Sequence, residues 1–312
     1  MPELPDITVY VEALRPRIVG ARLARVSIKS PFLLRTVDPP VDALEGRRVL
    51  GVERLAKRVV LGFGPAPHHF LVFHLMIAGR LLWKPPGARP AGKIDLAAFE
   101  FAPDPHGVAG TLVLTEAGTQ KRASLHVVAG RDALRDLAPR GLELEDATPG
   151  AFRTALVREN RTLKRALTDP RIFSGIGNAY SDEILHAACL SPIKLTRSLS
   201  DDEIERLDKA TRATLARWTS TLRAQFGVVD GAPGRFPGVG DITAFRPDFA
   251  AHGRYKKPCP VCGTSIARIV HADNETNYCP RCQTGGKVLA DRSLSRLLKE
   301  DWPRTVEEWE GS

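Results

Sequence analysis

The start of the chain combines a nucleophile with a proton donor. Met1 precedes Pro2 and Glu3, so removal of Met1 would leave Pro2 as an N-terminal secondary amine beside a carboxylate. An α-amino group has a pKa of about 8, and its uncharged fraction can attack an aldehyde or acetal carbon and form an iminium while the carboxyl exchanges protons. A structural role fits the same residues, because Pro2 and Pro5 would stiffen the chain ahead of a helix.

Four of the five cysteines form a second cluster with a chemical role. Cys259 and Cys262 make one C-x2-C pair, and Cys279 and Cys282 make another after sixteen intervening residues. Each pair directs two thiolates to one point, so together they predict a tetrahedral site for one structural Zn2+ ion with no open coordination position. A redox role for the pairs is the alternative. Cys189 falls in an apolar helical run, which predicts a buried side chain.

The surroundings of the cysteine pairs are basic. Residues 254–299 carry nine Lys and Arg against three acidic residues, and the whole chain has 45 basic against 36 acidic residues, a formal net charge of +9. This excess favours a polyanionic partner, nucleic acid before an anionic membrane. A metal-pinned hairpin in this setting is predicted to clamp phosphates, with a solvated basic face as the alternative.

A glycine-rich turn is a third candidate site. The segment from Ser174 to Asn178 reads Ser-Gly-Ile-Gly-Asn and separates two helical runs. It lacks the preceding strand and third glycine of a dinucleotide fingerprint. Asn178 is predicted to be the N-cap of the next helix, whose free amides would face an anion. A simple tight connection between the helices is the alternative.

These residues must be positioned by two kinds of secondary structure. Apolar residues at three- and four-residue spacing predict a helix over 5–19, and short β-rich runs between Gly/Pro clusters over 22–130 predict an antiparallel sandwich or barrel. Beyond Gly130 the pattern turns helical and then gives way to a Gly/Pro-rich loop over 227–241. Helices are predicted at 131–137, 148–168, 178–189, 200–226 (with a Ser200–Glu203 capping box) and 291–299.

Length and composition limit the class of protein. The 312 residues allow two core-bearing domains and a small module, and we divide them into 1–135, 136–250, a ribbon over 251–290 and a C-terminal extension over 291–312. The chain has no apolar run of the ~18 residues that a membrane span needs, and its cysteines are clustered as in a reducing compartment. No basic and then apolar stretch with a cleavage site opens the sequence, so we expect no secretory leader. We therefore expect a cytoplasmic protein that does not bind membranes.

The three candidate sites occur in the order found in a known family. Together they resemble the formamidopyrimidine-DNA glycosylase / endonuclease VIII family of base-excision repair enzymes, over nearly the whole chain to about residue 283. The motifs that carry the resemblance are Met1-Pro-Glu-Leu-Pro-Asp6, Arg54-Leu-Ala-Lys57, His74-Leu-Met-Ile-Ala-Gly79, Leu167-Thr-Asp169, GIGNAYSDE over 175–183 and the ribbon ending Tyr278-Cys-Pro-Arg-Cys-Gln283.

The resemblance implies a fold and a reaction. The fold is α+β: an N-terminal antiparallel β-sandwich flanked by helices, a helix–two-turns–helix domain and a zinc ribbon, with DNA bound between them. Pro2 would attack C1′ of a flipped, damaged nucleotide, Glu3 would protonate the sugar ring oxygen or assist departure of the base, and Lys57 would contact a phosphate and donate a proton in β-elimination. Lys164 and Asn178 would hold the damaged strand. Isolated surface roles are the alternatives for Lys57, Lys164 and the Glu183 carboxylate.

The chain also departs from the family pattern. Asn274 replaces the arginine that the family carries at the ribbon tip and that is assigned to δ-elimination; Lys287 or Arg292, in the 29 residues after Gln283, could supply the missing charge. In the family trio that fills the void of the flipped base, Ile77 replaces methionine, Arg122 is retained and the phenylalanine corresponds to Ala123. Lys93 stands where the family places a histidine.

The leading hypothesis is a monomeric, zinc-containing DNA glycosylase and AP lyase. It would remove damaged bases, oxidised ones first among them, from double-stranded DNA and cleave mainly by β-elimination. The alternative is a damaged-DNA or abasic-site binding protein on the same fold with little base excision. A zinc-ribbon transcription or RNA-processing factor is a third hypothesis, but it leaves Pro2 and Glu3 unexplained.

Overall fold

The computed structural model describes residues 1–65, 68–102, 109–227, 234–271, 274–290 and 303–310. Its helices are α1 (Leu4–Ile18), α2 (Arg131–Asp136), α3 (Pro149–Val157), α4 (Leu163–Thr168), α5 (Asn178–Ala187), α6 (Asp201–Phe226), α7 (Pro280–Thr284) and α8 (Val306–Glu310). Its strands are β1 (Arg22–Ile28), β2 (Arg48–Leu55), β3 (Arg58–Gly64), β4 (His69–His74), β5 (Gly79–Lys84), β6 (Asp95–Ala102), β7 (Gly110–Glu116), β8 (Ser124–Ala129), β9 (Ala267–His271) and β10 (Asn274–Tyr278).

By internal contacts the chain forms two compact units. The first comprises Met1–Pro139 and Trp218–Thr243, and the second comprises Arg140–Arg217 and Ala244–Ser312. The composition-based division into four segments remains a prediction. The α+β class is confirmed, since an antiparallel sheet forms most of the first unit and the second contains helices, including most of the 26-residue α6, and a two-stranded ribbon.

Helix α1 begins and ends within a residue of its predicted bounds. Its buried face includes Ile7, Val11, Leu14 and Ile18, at the predicted helical spacing. Pro5 stands in the first turn, where a missing backbone donor is harmless. The helix therefore presents Pro2 and Glu3 at its N-terminal end.

Strands β1–β8 form the predicted sandwich. The hydrogen-bonded order is β5-β7-β6-β1-β2-β3-β4-β8, but β1 and β2 share only the pair Arg22–Arg48. The ring centroids of Phe73 on β4 and Phe99 on β6 are 5.1 Å apart. In a flat sheet the two strands would be separated by four spacings of ~4.8 Å. The sheet therefore folds at the β1–β2 corner into two four-stranded halves that pack face to face.

The single helix predicted over 148–168 is wrong, because the chain forms α3 and α4 there instead. Between them, the Arg161 N–H donates to Thr196 Oγ1 (3.2 Å) and the Arg161 carbonyl accepts from the Thr196 N–H (2.8 Å). This pairing with a distant segment replaces the hydrogen bonds that would continue a helix. The capping box of α6 is confirmed: the Ser200 N–H donates to Glu203 Oε2 (2.9 Å), and the Glu203 N–H donates to Ser200 Oγ (3.2 Å).

The predicted burial of Cys189 is also wrong. This residue lies just beyond the end of α5, in the left-handed conformation with φ of 51°, and its side chain is exposed. The Leu190 N–H donates to the Leu185 carbonyl (3.0 Å), which closes the helix end. Helical periodicity no longer decides which way a side chain points at such a position.

The predicted helix at 291–299 lies outside the described residues. Within the described ranges, none of the helices combines the length and the apolar character needed to cross a membrane.

Candidate functional site

Strand register brings the N-terminal candidate residues to one end of the sandwich. Arg58 is paired with His74, and His74 with Ser124, in the half formed by β2, β3, β4 and β8. In the other half, Gly79 is paired with Glu116. The β2–β3 turn with Lys57, the β4–β5 turn and the β7–β8 loop therefore emerge at the same end.

The N-terminal amine lies in a buried, charged setting. Glu3 is 2% exposed, Pro2 is buried, and the Glu3 N–H donates to Asp6 Oδ2 (2.9 Å). Burial lowers the pKa of the Met1 amino group; the charge of Glu3 opposes this shift, while those of Arg80 and Lys57 add to it. Glu3 and Lys57, the predicted acid and phosphate-binding lysine, are thus electrostatic neighbours of the N-terminus that precedes Pro2.

Lys57 is held by a tight turn. Ala56 adopts a positive φ of 54°, and its carbonyl accepts from Arg54 Nη1 (3.1 Å). Burial lowers the pKa of the Lys57 ammonium, and the charge of Glu3 opposes that shift. A lysine of lowered pKa is better able to exchange protons near neutral pH than an exposed one.

Two further basic residues belong to this end of the sandwich, and no role was predicted for either. Burial, with the charges of Arg58, His126 and Lys57, lowers the pKa of His74 to about 4. The charge of Arg80 lowers the pKa of the Met1 amino group, and Arg80 Nη1 donates to the Gly79 carbonyl (2.7 Å). Both belong to or directly follow the His74–Gly79 motif, which is the signal that could have identified them.

The residues predicted to fill the void left by the flipped base lie in the β4–β5 turn and the β7–β8 loop. Ile77 is 55% exposed in the β4–β5 turn, next to Met76 with a positive φ of 52°. The Glu116 carboxylate accepts from the backbone N–H groups of Arg122 (2.9 Å) and Ala123 (3.1 Å), so it fixes the loop that presents the exposed Arg122 side chain. Ala123 itself is 3% exposed and packs in the core. The described loop thus offers an arginine without an adjoining aromatic side chain.

Lys93 is exposed at the same end of the sandwich. The carbonyl of the following residue, Ile94, accepts from the Glu116 N–H (2.8 Å), and β6 begins at Asp95. Strand pairing therefore places Lys93 near the β7–β8 loop. Contact between Lys93 and DNA remains a prediction.

In the second unit, Asn178 is not the N-cap that was predicted. The extended residue Gly177 occupies that position and Asn178 is the first residue of α5, because its backbone already follows the helix. Its side-chain Nδ2 instead donates to the Glu275 carbonyl on β10 (3.0 Å). Asn178 thereby joins the glycine turn to the ribbon hairpin.

Lys164 supports this turn. Its Nζ donates to the Asn178 carbonyl (2.7 Å) and pairs with the fully buried Asp182 (2.5 Å). Asp182 also pairs with His252 Nδ1 (2.7 Å). An ammonium has three donors, so one remains for another acceptor.

Glu183 is a buried structural carboxylate, so the alternative of a helix-surface carboxylate is wrong. It accepts from three successive backbone N–H groups, those of Ala250 (2.7 Å), Ala251 (2.8 Å) and His252 (2.9 Å). Burial raises its pKa, and these hydrogen bonds oppose the rise. Glu183 therefore fixes the segment that leads into the ribbon.

The four ribbon cysteines have the arrangement of a metal site. The Sγ atoms of Cys259, Cys262, Cys279 and Cys282 all lie within 4.8 Å of one another. A tetrahedral site with Zn–S bonds of ~2.3 Å has sulfur–sulfur edges of ~3.8 Å, so the donor set and its size fit one Zn2+ ion. His186 Nε2 lies 3.2 Å from Cys259 Sγ and is placed to orient that ligand.

The ribbon tip carries little charge in its described part. Asn274 is exposed at the start of β10 and is paired with His271 on β9. Lys287 is exposed and forms an isolated backbone bridge with Thr305. Arg292 lies outside the described residues.

Comparisons with known proteins agree with this arrangement. The formamidopyrimidine-DNA glycosylase N-terminal domain matches residues 1–117, and the formamidopyrimidine-DNA glycosylase H2TH domain matches residues 137–223. The zinc finger found in FPG and IleRS matches residues 256–285, which together with the sulfur geometry confirms the predicted structural zinc.

Relatives cover nearly the whole chain. A formamidopyrimidine-DNA glycosylase of Thermus thermophilus is 34% identical over 292 residues, 92% of this chain and 100% of the relative. That of Cronobacter sakazakii is 31% identical over 295 residues, 91% of this chain and 100% of the relative. A solved complex between Lactococcus lactis Fpg and DNA containing an abasic site has a TM-score of 0.75 at 24% identity, over 90% of this chain and 99% of that one, and it supports the fold alone.

Proposed function

The chain belongs to the formamidopyrimidine-DNA glycosylase family, and from this premise we propose that it excises damaged bases through the Pro2 amine and then cleaves the abasic strand by β-elimination. The observation that carries the proposal is the buried position of Pro2 at the start of α1, beside the buried Glu3 carboxylate, which is a charge neighbour of Lys57. A family member without this arrangement could bind damaged DNA but would have no nucleophile for C1′.

Pro2 and Glu3 together account for the bonds and protons exchanged in the proposed excision. The Pro2 nitrogen lone pair forms a bond to C1′ of the flipped nucleotide, the C1′–base bond breaks, and the base leaves with the electron pair. The proton that the Pro2 nitrogen then loses is taken up by the departing base. The Glu3 carboxyl gives a proton to the ring oxygen O4′ as the sugar opens, which leaves an iminium between Pro2 and C1′.

Strand cleavage follows from the charge of that iminium. It acidifies the C2′ hydrogen; loss of this proton forms a C2′–C3′ double bond, and the C3′–O bond breaks with the 3′ phosphate leaving. Lys57, whose pKa is lowered by burial, would contact the phosphate and exchange protons. Hydrolysis of the iminium then releases the sugar fragment and regenerates the Pro2 amine.

Contacts outside the reacting atoms complete the proposal. Lys164 would offer its third donor to a phosphate beside the α5 turn, and Asn178 would keep that turn joined to the ribbon. Ile77, Arg122 and Lys93 would approach the lesion from the sandwich. Cys259, Cys262, Cys279 and Cys282 would hold zinc, which maintains the ribbon and takes no part in the reaction.

Borohydride trapping tests the proposed function. The native chain should form a covalent adduct both with an abasic duplex and with a duplex containing an oxidised base. Trapping on the abasic duplex alone would contradict base excision and support a lyase or binding role.

Replacing Glu3 by glutamine should slow base excision by ~10²- to 10⁴-fold, because the side chain keeps its size but loses its acidic proton. Trapping on an abasic duplex should fall less, because no base has to leave. Single-turnover rates on the two duplexes measure the difference. Glu12→Gln is the matched control on α1: Glu12 pairs with Arg223 and should leave both rates unchanged; equal losses in the two assays for Glu3→Gln would contradict its role in base departure.

The pH profile should reflect the burial of the Pro2 amine. Only the uncharged amine attacks, so the rate falls as pH drops below its pKa. Burial lowers the pKa of the Met1 amino group, and Pro2 is itself buried, so the Pro2 amine should also have a lowered pKa and lose activity only at lower pH. Adduct formation should therefore persist at a lower pH than imine formation between a free Pro-Glu peptide and the same abasic sugar. A profile that coincides with the peptide's would show that burial does not tune the amine.

The replacement of the family arginine by Asn274 leads to a prediction about products. The native chain should yield mainly β-elimination products, and Asn274→Arg should raise the fraction of β,δ-elimination products by placing a cation at the exposed start of β10. Gel separation of the cleaved strand measures the two. Dominant β,δ products from the native chain that persist after Lys287→Gln and Arg292→Gln would contradict this assignment.

A further inference from the structure

A cluster of basic side chains lies on the outer face of the sandwich, beside the catalytic end. Arg58 on β3 is paired with His74 on β4, and Val72, two residues earlier, is paired with His126 on β8. Side chains alternate along a strand, so Arg58, His74 and His126 share one face. Val72 on that face packs with Leu134 of α2 and not in the main core, so this face points outward.

These side chains lie within electrostatic range of one another. The pKa of His74 is lowered by burial and by Arg58, His126 and Lys57, and that of His126 is lowered by burial and by Arg58 and Arg35. Among the described residues, every charge that perturbs either histidine is positive. The cluster is therefore a concentration of positive charge without a balancing carboxylate.

Two buried nitrogen atoms in the cluster are unpaired. Within the described chain, Arg58 Nε and His126 Nδ1 are shielded from solvent and have no hydrogen-bond partner. Buried polar groups are rarely left in this state, because the loss of hydration is not offset. An anion between these side chains would supply acceptors to Arg58 and would balance the positive charge around His126.

We propose that Arg58 and His126, with Arg35 beside them, form an additional phosphate subsite for the backbone of the bound DNA strand; this rests on the proposed function. Lys57, at the catalytic end, precedes Arg58 directly, so a strand that reaches the Pro2 amine passes next to the cluster. Arg58 and His126 stand on strands that flank β4 and are offset by two residues along it, so their backbones are ~12 Å apart. Two long side chains that lean toward each other can close this span on one phosphate group. The subsite binds the strand and has no part in the covalent steps.

Salt-dependent binding tests the subsite. Affinity for a duplex with an uncleavable abasic-site analogue is measured over a series of KCl concentrations with the full-length chain. Arg58→Gln should reduce the slope of log K against log [KCl] by about 0.9 and weaken binding roughly tenfold, as expected for the loss of one phosphate contact. Arg58→Lys should retain most of the slope. Arg22→Gln is the matched control. Arg22 is exposed at the start of β1, at the end of the sandwich away from Arg58, so its replacement should change neither the slope nor the affinity.

A second measurement identifies the phosphate. Single neutral methylphosphonate substitutions along the duplex should reveal one position that weakens binding by the native chain but not by Arg58→Gln or His126→Gln. A native slope for Arg58→Gln, or the absence of such a position, would overturn the subsite. The NMR signal of the His126 ring, recorded with added inorganic phosphate, distinguishes a free anion. If phosphate shifts this signal in the native chain but not in Arg58→Gln, and Arg58→Gln binds DNA normally, the cluster holds a free anion and the proposal is wrong.

The failure of the proposed function is distinguishable from that of the subsite. A native chain that neither binds the duplex nor forms a borohydride adduct overturns both. A native chain that does both, together with an unchanged slope for Arg58→Gln, overturns the subsite alone. Adduct formation at saturating enzyme by Arg58→Gln shows that the variant is folded.

Discussion

Pro2→Gly should lose the borohydride adduct on both abasic and oxidised-base duplexes within the time in which the native chain completes it. The proline ring fixes φ and holds the amine in its buried position, whereas an N-terminal glycine is a primary amine on a flexible backbone. Loss of an oriented approach alone can reduce a rate by several powers of ten. We expect a decrease of about a thousandfold in the rate of adduct formation, measured under single-turnover conditions.

Pro5→Gly is the matched control for this change. Pro5 lies in the same segment, is also buried and stands in the first turn of α1, but it carries no free amine. The variant should be somewhat less stable and should still form the adduct. Equal losses in the two variants would mean that the N-terminal prolines act through the stability of α1, as the structural interpretation of this segment holds.

Removal of zinc should have the second large effect. Structural zinc sites contribute about 10–16 kcal/mol of binding free energy that is coupled to folding of the metal-bound segment. The described ribbon has only a small core of its own, in which Ile266 packs with the cysteines, so it should unfold without the metal. Cys279→Ser combined with Cys282→Ser should yield a chain without bound zinc and with strongly reduced affinity for DNA.

Metal analysis and binding measurements test this together. The native chain should contain one zinc per molecule, and a strong chelator should remove zinc and DNA affinity in parallel. Cys189→Ser is the matched control, because Cys189 is exposed and lies outside the four-sulfur cluster. Full DNA affinity in a zinc-free chain would contradict the role of the ribbon as a DNA clamp.

Local patterns in the sequence predicted the elements that depend on local interactions. The apolar spacing of α1, the capping box of α6 and the paired cysteines each involve residues that meet within one turn or one hairpin. Short β-rich runs separated by Gly/Pro clusters likewise predicted an antiparallel sandwich or barrel. These features required no knowledge of distant contacts.

Distant contacts account for the errors. The helix expected over 148–168 is interrupted because Arg161 pairs with Thr196, thirty-five positions along the chain. Glu183 is buried because the backbone of residues 250–252 donates to it, and Asn178 bonds to Glu275 on the ribbon. Periodicity and cap preferences contain no information about such partners.

The candidate site shows the same division. The zinc ligands were identifiable from residue type and spacing, and Pro2 and Glu3 were predicted in the same way. The proximity of Lys57 to Glu3 instead depends on the register of the sandwich. The Arg58–His126 cluster combines the β3–β4 hairpin with β8, which lies about fifty residues further along the chain. Only the pairing of those strands brings its members together.

The most direct test of the account is the position of the trapped adduct on the native chain. Borohydride reduction on an abasic duplex, followed by nuclease and protease digestion and mass spectrometry of the N-terminal peptide, locates the modified nitrogen. We predict that Met1 is absent and that the reduced sugar fragment is attached to the Pro2 nitrogen. Attachment to Lys57 or to any other lysine, or an adduct formed while Met1 is retained, would contradict the assignment of Pro2 as the nucleophile.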